Sequence, residues 1–399
     1  MNIGSIITII DLLLWLIIAA NVAYVLFFAL SSLLPKKSPH PSPFTLHQSS
    51  YLILFPAYHE DTVILHSVES FLQQDYPKDR YHVVVISDHM SPETNDQLSK
   101  LPITLLQPSF EHSSKAKALQ YAISDIRHQT SDIYDFVVVL DADNIVQSDY
   151  LTQLNEIATP DQAVQCHRTA KNADNDIAAL DGISEEINNS IFRKGHNRIG
   201  MSSALIGSGM CFNYQWFAKN VNYLDSAVED RELEALLMKQ GIHIHYAEDI
   251  HVLDEKVSNG DSFQRQRLRW MTGQVQALFR MLPFIPKAIV TGNINYIDKT
   301  IQQALIPRSI LLVLIPFLTL VSLLAFFFLP LPSYIFPLKW FILLILLVAA
   351  ILIAIPAPLR TRALFDKLLT LPQLVWRMLM NLLNINPSNK EFIHTTHRQ

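Results

Sequence analysis

Residues 134–144 read "YDFVVVLDADN", an apolar, β-branched run that breaks into two aspartates, Asp141 and Asp143, two positions apart. A short run without polar alternation suits a strand buried on both faces, as in a parallel sheet covered by helices. Three similar runs lie upstream: "YLILFPAY" (51–58), expected to end at Pro56, "YHVVVISD" (81–88) and "LPITLLQP" (101–108), with helical stretches expected over 62–74 and 115–127. The alternation predicts an α/β domain with a mostly parallel sheet. Ligands in such sheets bind beyond the carboxyl ends of the strands, where Asp88, Asp141 and Asp143 all fall. Asp141 and Asp143, with a turn between them, can reach one hard divalent cation, Mg²⁺ or Mn²⁺; a solvated acidic turn is the plainer use of the same residues. The chain has ten glycines and neither dinucleotide nor P-loop spacing, so phosphates must be held by a metal and by side chains.

Half of the 399 residues are hydrophobic, and the excess sits at the two ends of the chain. The net charge of -5 supplies no basic field, which argues against nucleic acid as a partner. Cys166 and Cys211 are the two cysteines; neither a disulfide framework nor a zinc site is expected from them. Three stretches, residues 6–34, 310–329 and 335–355, reach the roughly 20 apolar residues that cross a bilayer. The first lacks a basic leader and is too long for a cleaved signal, so it reads as a retained anchor. Lys36, Lys37, Lys299, Arg308, Arg360, Arg362 and Lys367 flank the three stretches, and the link over 330–337 is uncharged. All these flanks belong on one side, the cytoplasm, which makes this an integral protein of the plasma membrane with a cytoplasmic catalytic domain. Asp11 reads as snorkelling to the outer interface. Residues 271–290 and 365–383 read as amphipathic helices in the headgroup plane. The expected division is an anchor (1–38), an α/β domain (48–258), an interfacial segment (259–308), two spanning helices (309–357) and a tail (358–399).

Two further stretches carry chemistry. In "VEDRELEALLMKQG" (228–241), Glu229 and Asp230 open a helical pattern, where acids cap exposed N–H groups in any protein. Asp230 is also a candidate general base for an acceptor hydroxyl. "QRQRLRW" (264–270) crowds Arg265, Arg267 and Arg269 beside Trp270. They could meet anionic headgroups, or Arg269 could bind diphosphate while Trp270 forms a floor for a sugar.

In order, "PAYHE", "ISDHMSPET", "KAKALQYA", "VLDADN", "LIGSGMCF", "VEDRELEALLMKQG" and "QRLRW" resemble the membrane-bound branch of the family 2 glycosyltransferases, which includes cellulose, chitin and hyaluronan synthases and ceramide glucosyltransferase. The resemblance covers about residues 52–270. It implies a GT-A fold, an inverting, metal-dependent transfer from a nucleotide diphosphate sugar, and polysaccharide synthesis, with single transfer to a lipid acceptor as the alternative. It further implies that Asp88 reads the nucleobase, usually uracil, with Pro56, Tyr58 and Glu60 in the same pocket. Lys115 would bind nucleotide, Asp141 and Asp143 the metal with Asp143 as direct ligand, and Asp230 would be the base. Gln266, Arg269 and Trp270 match "QxxRW", with Arg269 on diphosphate and Gln266 and Trp270 at the acceptor. The chain departs from the pattern at His89, where many members carry an acid or Asn, and at Ser113 and Ser114, which precede Lys115 in place of glycine. The tail "KEFIHTTHRQ" (390–399) resembles a gating segment, with Thr396 and His397, and beside them His394, as contacts; a polar tail without a role is the alternative. Partners implied are a nucleotide-sugar donor, a polysaccharide or lipid acceptor and membrane lipids; assembly of the chain with itself is compatible with all of these. A scaffold that kept the fold and lost activity would usually have lost one of the acids, and none is missing.

Overall fold

The computed structural model describes residues 3–36, 48–129, 134–172, 175–226, 228–257, 259–328 and 337–362. The 365–383 segment and Thr396 and His397 lie outside them. One sheet holds β1 (Tyr51–Tyr58), β2 (Tyr81–Asp88), β3 (Thr104–Leu106), β4 (Phe136–Val139), β5 (Ile145–Val146), β6 (Gln162–Ala170), β7 (Met210–Asn213) and β8 (His243–Asp254), in the order β3-β2-β1-β4-β7-β6-β8-β5. Strands β1 to β4 pair in parallel, as do β6 and β8, whereas β7 runs antiparallel to β4 and β6, and β5 to β8.

The unbroken apolar runs are explained by two cores. Tyr51, Ile53, Phe55, Val83, Val85 and Val138 face one, with Phe71 and Tyr150. Leu52, Leu54, Val84, Ile86 and Val137 face the other, with Leu119 and Ile123 of helix α2 (Lys115–Gln129). The first strand does not stop at Pro56; it continues to Tyr58, with Pro56 opposite Ile86. Strand β4 pairs only with Tyr51–Leu54, so a proline two residues further on removes no donor from a ladder on that side.

Other helices in chain order are α1 (Ile3–Ser31), preceding the sheet, and α3 (Asp176–Asn188), α4 (Glu229–Lys239), α5 (Gly260–Met281), α6 (Ile294–Ala304), α7 (Arg308–Phe328) and α8 (Pro337–Ala354). Helices α1, α7 and α8 are long and apolar enough to cross a membrane. They close on one another through Ile18, Val22, Leu311, Ile315, Trp340, Leu343 and Leu347. The end of α1 docks on the α/β domain: Phe28 stacks on His196 at 3.6 Å between ring centres, and Tyr24 Oη donates to Asp298 Oδ1 at 2.6 Å.

Two expectations need correction. Asp11 does not snorkel alone. It forms an ion pair with Lys339 of α8 and accepts from Trp340 Nε1 at 3.1 Å. Lys339 lies just past the uncharged link, inside the third apolar stretch, and went unnoticed beside so many aliphatic neighbours. Likewise, residues 271–290 are not one amphipathic helix, the break falling at Pro283. Residues 271–281 complete α5, which already carries "QRLRW", and a turn at Leu282–Phe284 separates a short helix, Ile285–Val290. Met271, Gly273, Ala277 and Met281 are buried, whereas Ile289 and Val290 are exposed.

Candidate active site

The aspartates after β4 are shaped by a local turn. Asn144 N donates to Asp141 O at 3.1 Å, and Asn144 Oδ1 accepts from Asp141 N at 2.9 Å, the side-chain-to-backbone closure that Asn favours in turns. Asp143 is thereby directed inward, where its Oδ2 accepts from Glu255 N at 2.7 Å. Glu255 follows the end of β8, so Asp254 arrives at the same place. Carboxylate oxygens of Asp141, Asp143 and Asp254 lie within 4.8 Å of one another. Three hard oxygen donors at that spacing fit a divalent cation of the Mg²⁺ or Mn²⁺ kind. Asp254 was not anticipated. An acid at the end of β8 was the available signal, but the strand alternates with histidines and reads unlike the others.

Lys115, at the start of α2, is held in a nest of oxygens. It pairs with Asp141, donates to Gly207 O at 2.5 Å and lies 3.5 Å from Glu229 Oε1. Burial pulls its ammonium down, but Asp141 and Glu229 outweigh that and hold it above the ordinary lysine value. For Glu229 the balance is reversed: burial lifts its carboxyl to about 7 against the pull of Lys115. Asp230, beside it at the start of α4, accepts from the adjacent Arg231 N through Oδ1 at 2.8 Å, and among the described residues no side chain caps this helix start. Its Oδ2 faces Gly207, whose φ of 83° suits glycine; a Cβ there would stand 3.8 Å from that oxygen. That contact is an ordinary one, so it is the backbone conformation that asks for glycine here. On α5, burial lowers the Arg269 guanidinium despite the nearby carboxylates of Glu229, Asp141 and Asp230. Arg267, three residues before Trp270 on the same helix, lies 4.6 Å from the centre of that indole and pairs with Asp181.

At the other edge, Asp88 closes β2 and is buried, with Oδ1 2.6 Å from His89 Nδ1. His59 and His89 follow β1 and β2 with φ of 54° and 55°, a left-handed conformation that costs a side-chain-bearing residue energy and is common beside ligand sites. All eleven anticipated residues that are described line one cavity of about 530 Å³: Pro56, Tyr58, Glu60, Asp88, Lys115, Asp141, Asp143, Asp230, Gln266, Arg269 and Trp270.

Comparison with known proteins identifies the family and the fold. The profile described as glycosyl transferase family group 2 matches residues 136–353, and that of glycosyl transferase family 2 matches residues 52–217. The chain belongs to the family 2 glycosyl transferases. A probable glycosyltransferase of Bacillus subtilis (strain 168), YdaM, is 21% identical over 242 residues, 58% of this chain and 56% of that protein; the chain spans about half the length of this curated relative. A mannosyltransferase from Pyrobaculum calidifontis, PcManGT, solved with GDP-Man and Mn²⁺, is similar over 94% of this chain and 100% of its own, at 17% identity and a TM-score of 0.54. Glucosyl-3-phosphoglycerate synthase from Mycobacterium tuberculosis, solved with Mn²⁺, UDP and phosphoglyceric acid, is similar over 54% and 74%, at 15% identity and a TM-score of 0.38. The mostly parallel sheet with apolar helices at the termini is therefore a GT-A fold, as the motifs implied.

Besides Asp254, a buried charge cluster that no sequence motif marks borders the metal-type acids. Arg168 of β6 donates to Glu185 Oε2 at 2.9 Å, Lys256 Nζ donates to the same oxygen at 3.0 Å, and Lys256 also meets Asp254 at 2.7 Å. Burial disfavours the charge on both acids, yet these cations hold Glu185 and Asp254 below the usual carboxylate range.

Proposed function

We propose that the chain transfers a sugar from a nucleotide diphosphate, a uridine one by its motifs, to an acceptor hydroxyl with inversion, at the cytoplasmic face of a membrane. The convergence of Asp88, Lys115, Asp141, Asp143, Asp230, Arg269 and Trp270 on one cavity carries this reading. Asp88 reads the base, with Pro56, Tyr58 and Glu60 beside it. Lys115 and Arg269 hold the diphosphate. Asp230 takes the acceptor proton, the freed oxygen pair bonds to the anomeric carbon, and the bond from that carbon to the diphosphate breaks with its electrons leaving on phosphate. A divalent cation held by Asp141, Asp143 and Asp254 would neutralise charge on the departing diphosphate. Gln266 and Trp270 orient the acceptor. With Asp230 as the base, one in-line displacement inverts the anomeric carbon.

Polysaccharide synthesis and single transfer to a lipid remain the two readings of the acceptor. The apolar seam that closes α1, α7 and α8 on one another favours the lipid. Asp230→Asn is expected to abolish transfer, a loss of at least about a hundredfold, while UDP binding with Mn²⁺ stays within twofold or so of the native chain. Retained turnover from labelled UDP-sugars in that variant would remove Asp230 from its role.

A further inference from the structure

The same cavity reaches the spanning bundle. Val25 of α1, Leu312 of α7 and Ile351 and Ile355 at the end of α8 line it together with Asp230 and Lys115. Apolar side chains from the three long helices therefore border the catalytic space. At that border stands Arg308, the first residue of α7. Its Nη2 donates to Asn188 Oδ1 at 2.6 Å and to Ser184 O at 3.4 Å. Its Nη1 is buried without a hydrogen-bond partner, and no carboxylate neutralises it among the described residues. Arg267, close by, differs: Asp181 pairs with it and two aromatic rings cover it.

An unneutralised guanidinium with an open donor, on a cavity wall, is a site for an anion. Oxygens of phosphate geometry suit it, and the opening N–H groups of α7 beside it favour the same charge. The apolar lining from three spanning helices asks at the same time for a hydrocarbon chain. A free phosphate ion meets the first demand and not the second; a neutral glyceride meets the second and not the first.

We propose that the acceptor is a membrane lipid whose headgroup carries a phosphate, with the phosphate on Arg308, the hydrocarbon between α1, α7 and α8, and the hydroxyl presented to Asp230. The transfer step rests on the function proposed above, but the binding of the lipid does not.

The test uses the full chain immobilised in maltoside micelles and three labelled probes: oleoyl lysophosphatidic acid, monoolein, which has the same tail without phosphate, and inorganic phosphate. Lysophosphatidic acid should bind at least about tenfold more tightly than either of the others. Arg308→Gln should lower its affinity about tenfold and leave monoolein unchanged, and Arg308→Lys should recover part of the loss. Leu312→Trp, which fills the cleft, should weaken both lipids. Equal binding of lysophosphatidic acid and monoolein, or no effect of Arg308→Gln, would overturn the proposal, and inorganic phosphate binding as tightly as the lipid would make this a free-anion site. UDP titration with Mn²⁺ on the same preparations separates the two readings. Native protein that binds UDP but shows no preference for the phosphorylated lipid ends the acceptor proposal alone. Native protein that fails to bind UDP ends the donor reading and leaves the lipid result to stand. A variant that loses UDP binding has misfolded, and the Leu312→Trp and Arg308→Lys pair then decides.

Discussion

Glu229 lies beside the proposed base, and burial lifts its carboxyl to about 7 from an ordinary 4.5. Between those values the folded chain holds a proton that the unfolded chain has released. The stability so contributed is complete below the ordinary carboxylate range and is lost as pH rises through about 7. The same ionisation puts a negative charge next to Lys115, where the diphosphate is proposed to sit. UDP affinity at saturating metal is therefore expected to fall as pH rises through 7, and Glu229→Gln should flatten the profile. Parallel slopes in both proteins would exclude Glu229 as the titrating group. Single residues of this site were unevenly legible. Asp88, Asp141 and Asp143 stood out because each follows a β-branched run, a local signal. Asp254 and Glu185 did not, since their meaning depends on register: β6 and β8 must pair before Arg168 comes opposite Val252, two residues from Asp254.

Among elements, the buried cluster ties β6 to α3. Glu185 faces three cations, Arg168, Lys256 and, at 3.9 Å, Arg193, two of which it shares with Asp254. Glu185→Gln leaves those cations short of a counter-charge, and a cost of about 3–5 kcal/mol is expected, read as a lowered denaturation midpoint in detergent. A milder adjustment on this helix, Glu185→Asp, should recover part of it. The junction of α5 with the loop before α4 is set by a close approach. A Cβ on Gly273 would stand 2.4 Å from Val228 Cγ1, and a β-branched side chain has little freedom to give way. Gly273→Ala should gain about 1 kcal/mol in helix propensity and lose about 1–3 kcal/mol to overpacking, a net destabilisation. In a Val228→Ala background both Cγ contacts are gone and only the Val228 Cβ, at 3.1 Å, stays close, so the same substitution should cost at least about 1 kcal/mol less than in the native chain. A cost of equal size in both backgrounds would show that the contact is not what demands glycine. Neither constraint could be read locally. Gly273 sits inside a helical pattern with nothing in sequence to say what passes across its face, which is also why residues 271–290 looked like one amphipathic helix.

At the scale of the whole molecule, a charge pair joins α1 to α8 at the end away from the sheet. Asp11 and Lys339 are 328 residues apart, and sequence gave no reason to join them. Their pairing changes the energetics of the first span. A lone acid near an interface can reach water, whereas an acid locked to a lysine and to Trp340 Nε1 holds α1 and α8 at a fixed rotation. Removing one partner leaves the other charge uncompensated in a medium of low dielectric, at a cost of about 3 kcal/mol or more. Asp11→Asn and Lys339→Met are each expected to lower stability by that order, while the double variant loses clearly less than their sum, because no unpaired charge remains. Asn at 11 keeps an acceptor for Trp340, so what the single variants measure is the charge. The measurement is unfolding by a denaturing detergent in mixed micelles, followed by helical signal, with the coupling taken from the double-mutant cycle. Additive losses would place both groups in contact with water and return Asp11 to the independent, snorkelling residue that its sequence position suggests. A coupling of about 1 kcal/mol or more would instead make the pair a rotational lock between α1 and α8. That lock bears on the site, because Val25 of α1 and Ile351 of α8 line the cavity together. Loosening it should therefore weaken lipid-acceptor binding without altering UDP binding.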